Sequence, residues 1–110
     1  MDETRRFQRV ELAIPVNYEI TNKGKIKNIS EGGLCIVTDK PFAYGYDITV
    51  MFCLPGETLG SVKTFAKVVW SKNEAGKSYE CGVQFWDISP HYLKRLQSYI
   101  SKHPEIEKSA

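Results

Sequence analysis

From Leu12 onward, apolar residues occupy every second position: Leu12, Ile14, Val16, Tyr18 and Ile20 alternate with mostly polar neighbours. A period of two places successive side chains on opposite faces of an extended chain, so this segment predicts a half-buried strand. Pro15 lacks the amide that a central strand uses, which predicts that the strand begins at an edge or bends. "TNKG" reads as a turn. "KIKNIS" and "GLCIVTD" then read as two strands joined at "EGG", whose adjacent glycines supply the positive φ angles of a tight connection. "YDITVMFCLP" and "SVKTFAKVVWS" form the next pair across "GETLG", and "YECGVQFWD" is the last strand, after the loop "KNEAGK".

Six short strands at near-regular spacing, each bounded by Gly, Pro, Asn or Asp, predict an all-β antiparallel domain. A six-stranded barrel is favoured over an open sheet, because closure removes the edges that so small a sheet leaves exposed. At "SPHYLKRLQSYISK" the period becomes helical. Ser89 stands at the N-cap position, Pro90 at the first helical position, and Leu93, Leu96 and Ile100 line one face that packs on the barrel. The expected organisation is a ligand-binding arm over 1–10, a barrel over 11–88, a C-terminal α-helix over 89–102 and a polar tail over 103–110.

Composition narrows the function. The chain has 110 residues, the size of one domain with one core. Fifteen Lys and Arg against thirteen Asp and Glu leave a net charge of +2, so no general attraction to nucleic acid or membrane is implied and any electrostatic function is local. No apolar run is long enough to cross a bilayer and no signal-peptide pattern opens the chain, so the expected location is the cytoplasm, without membrane insertion. Cys35, Cys53 and Cys81 are far apart and set in apolar stretches, which predicts buried reduced thiols and no metal site.

Catalytic signals are lacking. His91 and His103 are the two histidines, His91 reads as a surface residue, and no nucleophile elbow, zinc-protease or P-loop pattern occurs, so an enzyme is not expected. Two polar segments stand out instead. In "TRRFQRV", Arg5 and Arg9 are four apart and fall on one side of a helical turn or of an extended chain, with Arg6 between them. Guanidinium forks pair bidentately with phosphate or with a guanine edge. In "NISEGG", Asn28 and Ser30 point to the same face of a strand and carry short hydrogen-bonding groups, while Gly33 turns the chain and allows close approach to a ligand. Each segment alone reads equally as a solvated arm or as a polar hairpin.

Together they resemble the PilZ family, bacterial cytoplasmic receptors for the second messenger cyclic di-GMP. The family pattern, R-x-x-x-R in an N-terminal arm followed about twenty residues later by [D/N]-x-S-x-x-G, reads here as Arg5 to Arg9 and Asn28 to Gly33. "VVWS" and "CGVQFWDIS" are similar to later strands of such domains. The resemblance implies a six-stranded barrel whose arm folds over a bound dinucleotide. It places Arg5 and Arg9 on guanine and phosphate groups, Asn28 and Ser30 on a guanine edge, Gly33 in the connection and Arg6 as an auxiliary or solvated residue. Trp70 matches an aromatic that stacks on a base in some members, with core packing as the other reading. Asn28 replaces the more frequent aspartate, and Thr4 stands where an arginine favours an intercalated ligand pair, so one ligand per protein is expected.

Ordering of the arm would then carry the signal to a downstream protein of unknown identity, with no resident cofactor. Two other readings stay open: a PilZ-like adaptor that works by protein contacts without nucleotide, and a small barrel gripping single-stranded nucleic acid. The near-neutral charge disfavours the latter, which needs basic residues spread over one barrel face.

Overall fold

The computed structural model describes residues 9–19, 22–56, 60–73, 76 and 78–102. Six strands, β1 (Val10–Tyr18), β2 (Asn22–Ile29), β3 (Gly33–Thr38), β4 (Asp47–Phe52), β5 (Val62–Asn73) and β6 (Tyr79–Phe85), precede one helix, α1 (Pro90–Ser101). The strands close into an antiparallel barrel in the order β1-β2-β3-β6-β5-β4. Period-two patterning explains the closure most clearly in β5. Its Val62, Thr64, Ala66 and Val68 are buried while Lys63, Phe65 and Lys67 are exposed. The inward residues of all strands, among them Val16, Tyr18, Ile26, Ile36, Val50 and Val68, form one core, which Leu96, Tyr99 and Ile100 of α1 join.

Consecutive strands pair as hairpins except between β3 and β4, where the chain crosses the barrel through residues 39–46. That crossing is held by polar anchors. The Tyr18 hydroxyl donates to Asp39 at 2.9 Å and the Tyr46 hydroxyl to Glu19 at 3.1 Å, while Phe42 meets the Tyr18 ring edge-on at 5.7 Å. Burial, and the hydrogen bond Tyr18 donates to Asp39, push its phenol above the ordinary tyrosine range.

Pro15 lies within β1 rather than at its start, paired in register with Lys25 of β2. On its other side β1 meets β4 through only Asn17↔Met51 and Tyr18↔Val50, so the missing amide faces a side of the strand with no ladder partner at that position. Register shifts mark extra residues in β1 between Glu11 and Ile14, in β2 between Ile26 and Asn28, and in β5 between Val68 and Trp70. Bulges of this kind bend a strand and re-aim its side chains.

Several sequence expectations change. Most of "TNKG" is strand, not turn: Asn22 to Gly24 already pair in β2, Thr21 lies outside the described residues, and Glu19, a non-glycine residue at φ 54°, leaves β1 with its carboxylate accepting the Thr49 amide at 3.3 Å. Ile20 lies outside the described residues. At "EGG", neither Gly32 nor Gly33 has a positive φ. Gly33 is needed for close packing, since a Cβ there would overlap the Val83 carbonyl oxygen and sit 3.0 Å from its carbon. Cys35 and Cys81 are buried, whereas Cys53 is exposed just past the end of β4. Ser89 takes the extended N-cap conformation before Pro90 but makes no side-chain capping bond. On α1, Leu96 and Ile100 are buried and Leu93 is only partly so. The helix also buries Arg95, whose guanidinium donates to the Gly60 carbonyl at 2.6 Å and lies 5.8 Å from the Tyr92 ring centre. His91 is exposed; His103 and the tail lie outside the described residues.

Candidate functional site

The three bulges share one end of the barrel, and they align one residue from each of five strands. In register, Glu11 of β1 faces Asn28 of β2, Asn28 faces Cys35 of β3, Cys35 faces Gly82 of β6, and Gly82 faces Trp70 of β5. This row crosses the floor of an open groove of about 630 Å³. Clefts of about 300–1,000 Å³ are the usual size for small-molecule sites.

Of the residues singled out in the sequence, Arg9, Asn28, Ser30, Gly33 and Trp70 all line this groove. Arg5 and Arg6 lie outside the described residues. Ser30 closes a two-residue hairpin connection: its amide donates to the Gly33 carbonyl at 2.9 Å, and its hydroxyl accepts the Gly32 amide at 3.2 Å. The hydroxyl thus shapes the turn while remaining at the groove wall. The Phe85 amide donates to the Gly32 carbonyl at 2.9 Å and ties the turn to the end of β6. Where Gln97 of α1 reaches over, its amide donates to Glu31 at 3.1 Å.

Trp70 is not a core residue; it is 43% exposed. Its indole lies flat against Gly82 on the neighbouring strand, where a Cβ would overlap Nε1 and Cε2 and sit 2.7 Å from Cδ1. Gly82 therefore provides the bare backbone on which the ring rests, leaving the ring's other side toward the groove. The glycine was not singled out in the sequence, although an isolated glycine inside the strand pattern "YECGVQF" is a sign of close approach by a neighbour.

Below the row, Lys27 pairs with the buried Glu80, and the Cys35 thiol lies 4.0 Å from the other Glu80 oxygen. Burial, and then the Glu80 charge, push the Cys35 thiol up to about 11, so it is a neutral part of the floor at physiological pH. None of Glu11, Lys27, Glu80 or Gln84 was foreseen as groove lining. Among the described lining residues the formal charges balance, Arg9 and Lys27 against Glu11 and Glu80. Chemically, the groove offers a guanidinium for an anion, amide and hydroxyl groups for a heterocycle edge, and an aromatic face for a planar base. Among the described residues no group of three or more His, Cys, Asp or Glu is placed to hold a metal ion.

The family model described as the PilZ domain matches residues 3–102. The chain belongs to the PilZ family. Solved structures agree with a PilZ barrel. The Bacillus subtilis inhibitor of motility (MotI/DgrA) superimposes with a TM-score of 0.77 at 22% identity, over 89% of this chain and 50% of that one. This PilZ chain thus spans about half the length of the Bacillus protein. The PilZ domain of Escherichia coli YcgR, solved with c-di-GMP, gives 0.72 at 16% identity over 92% of both chains. A longer YcgR structure in complex with c-di-GMP gives 0.59 at 19% identity, covering 89% of this chain and 45% of that one. At these identities the likeness is one of fold. No curated protein matches the sequence. Among the described residues no helix is long and apolar enough to cross a membrane.

Proposed function

We propose that this PilZ domain is a receptor, not an enzyme, that binds cyclic di-GMP in the groove and passes the signal to a protein partner through its N-terminal segment. The observation that carries the reading is the convergence of Arg9, Asn28, Ser30 and Trp70, from three separate segments, on one groove. Arg9 suits a phosphate or a guanine O6/N7 edge, Asn28 and Ser30 a purine edge, and Trp70 a base face. The solved YcgR PilZ domain with c-di-GMP supports the ligand class.

Charge assigns a role to the arm. The ligand is a dianion and the described lining is balanced, so Arg5, four residues before Arg9, is the arm residue that brings positive charge to the phosphates, with Arg6 as an auxiliary. A micromolar complex needs about 8 kcal/mol. Charge-assisted hydrogen bonds at roughly 1.5–3 kcal/mol each and base stacking at roughly 1–3 kcal/mol reach it, against an ordering cost of roughly 2–5 kcal/mol.

Calorimetric titration of cyclic di-GMP, with GTP and cyclic di-AMP as comparators, tests the proposal. Arg9→Ala and, separately, Ser30→Ala lower the affinity at least tenfold while circular dichroism shows the barrel intact. Unchanged binding in both variants refutes the site. The charge balance of the groove also favours a second reading, an adaptor that recognises its partner without nucleotide; absence of heat from the folded wild-type protein decides for it.

A further inference from the structure

The outer face of β5 carries a pattern that nucleotide binding does not use in full. Lys63, Phe65, Lys67, Trp70 and Lys72 point outward in succession, the bulge before Trp70 preserving the alternation. Beside them on β6 run Gln84 and, just past its end, Trp86. Phe65 is 48% and Trp86 54% exposed, and their rings lie 5.9 Å apart at 32°. Exposed aromatics clustered in this way mark interaction surfaces, and tryptophan is prominent among the residues that anchor them.

We propose that the Phe65–Trp86 pair and the lysines around it form a docking surface for a protein partner that offers an apolar pocket rimmed by carboxylates. The pair stands as a knob beside a strip that stays positive overall: Lys72 faces Glu80 of β6 in register, but Glu80 is already paired with Lys27, so Lys27, Lys63, Lys67 and Lys72 outnumber Glu80 and Asp47. Lys67 keeps one carboxylate neighbour, Asp47 of β4, at 2.7 Å. Lysines belong at the rim of an interface and aromatics at its centre, which is the arrangement here. A nucleic-acid strand fits less well. Phe65 and Trp86 cover part of each other instead of presenting successive open faces for bases, and Asp47 weakens the field of the strip.

The surface also adjoins the groove. Trp86 and Gly82 are four residues apart along one strand direction, about 13 Å at the strand rise, and Gln84 between them lines the groove. A partner seated on the knob would therefore lie beside whatever occupies the groove. The docking surface is argued from exposure and charge and does not require the groove to bind nucleotide.

A random peptide library selected on the full chain, with and without cyclic di-GMP, provides the probe. Peptides enriched in at least one condition carry Asp or Glu flanking a large apolar residue. They bind the wild type at least tenfold tighter than Trp86→Ser and at least fivefold tighter than Lys63→Glu/Lys67→Glu, with both variants folded by circular dichroism. The inference is overturned by no enrichment in either condition, by enriched peptides indifferent to both variants, by a fluorescent oligothymidylate whose binding Trp86→Ser abolishes, or by a concentration-dependent dimer that the same variant dissolves. Calorimetry on the same samples reports nucleotide binding separately, so failure of the surface and failure of the groove are different results.

Discussion

Replacing Gly82 by alanine adds one methyl group, and its consequence follows from the geometry of Trp70. The new Cβ would occupy the space of the indole Nε1 and Cε2, so the ring has to swing off β6. A tryptophan buries about 150–250 Å² when packed, and more than half of Trp70 is covered. Releasing half of that cover, about 50–70 Å², costs about 1–2 kcal/mol at ~25 cal/mol per Å². For a domain of this size the melting temperature falls by about 5–15 °C. Ligand binding loses the stacking face as well, roughly 1–3 kcal/mol, or about 5- to 150-fold in affinity. Calorimetry of Gly82→Ala measures the second quantity and thermal denaturation the first. In a Trp86→Phe background Trp70 is the only remaining tryptophan, and its emission shifts to the red when alanine replaces Gly82. If Gly82 acts through the ring, adding Gly82→Ala to Trp70→Ala weakens binding by less than about 0.5 kcal/mol further. Wild-type affinity together with unshifted emission in Gly82→Ala would refute the reasoning.

Gly33→Ala forces a Cβ against the Val83 backbone, which cannot rotate away as a side chain can, and destabilises the barrel by roughly 1–3 kcal/mol, read as a lower urea midpoint with unchanged slope. Arg5→Ala weakens cyclic di-GMP at least about tenfold and Arg6→Ala less than about threefold in calorimetry, with losses shrinking at high salt because the contribution is charge. Cys35 has a folded pKa of about 11 against an ordinary 9.0, raised by burial and then by Glu80, so the protonated thiol favours the native state. That contribution is complete below pH 9.0 and is lost as pH rises through about 11. Denaturation midpoints accordingly fall across this window, and Cys35→Ala flattens the fall.

The strands were legible because their signal is repeated. Lys63 to Val68 alternate so regularly that a single element of this kind fixes its inward face, and six of them bounded by turn residues leave little but a small barrel. Turn positions were less legible. "TNKG" has the composition of a turn, yet pairing with Val16 to Tyr18 draws Asn22 to Gly24 into β2, and Glu19, a residue rarely found at positive φ, already departs from β1. Cys53 has apolar neighbours, but it falls on the outward phase of the alternation that buries Val50, Phe52 and Leu54. At the site, the motif residues were visible by type and spacing. The partners that adjust them were not, because Gly82, Glu80 and Glu11 reach the groove through cross-strand register, and register depends on bulges that composition does not announce.

The joint between β1 and β4, two register pairs long, gives the barrel a mechanical asymmetry. Every other adjoining pair of strands is sewn along most of its length, whereas this joint is a short clasp, and the clasped strand is the one that runs back into the arginine segment. A molecule that grips those arginines pulls on one of the two strands that flank the shortest joint. Amide exchange around Asn17 and Tyr18 is therefore the gauge on which tension at the arm would first register.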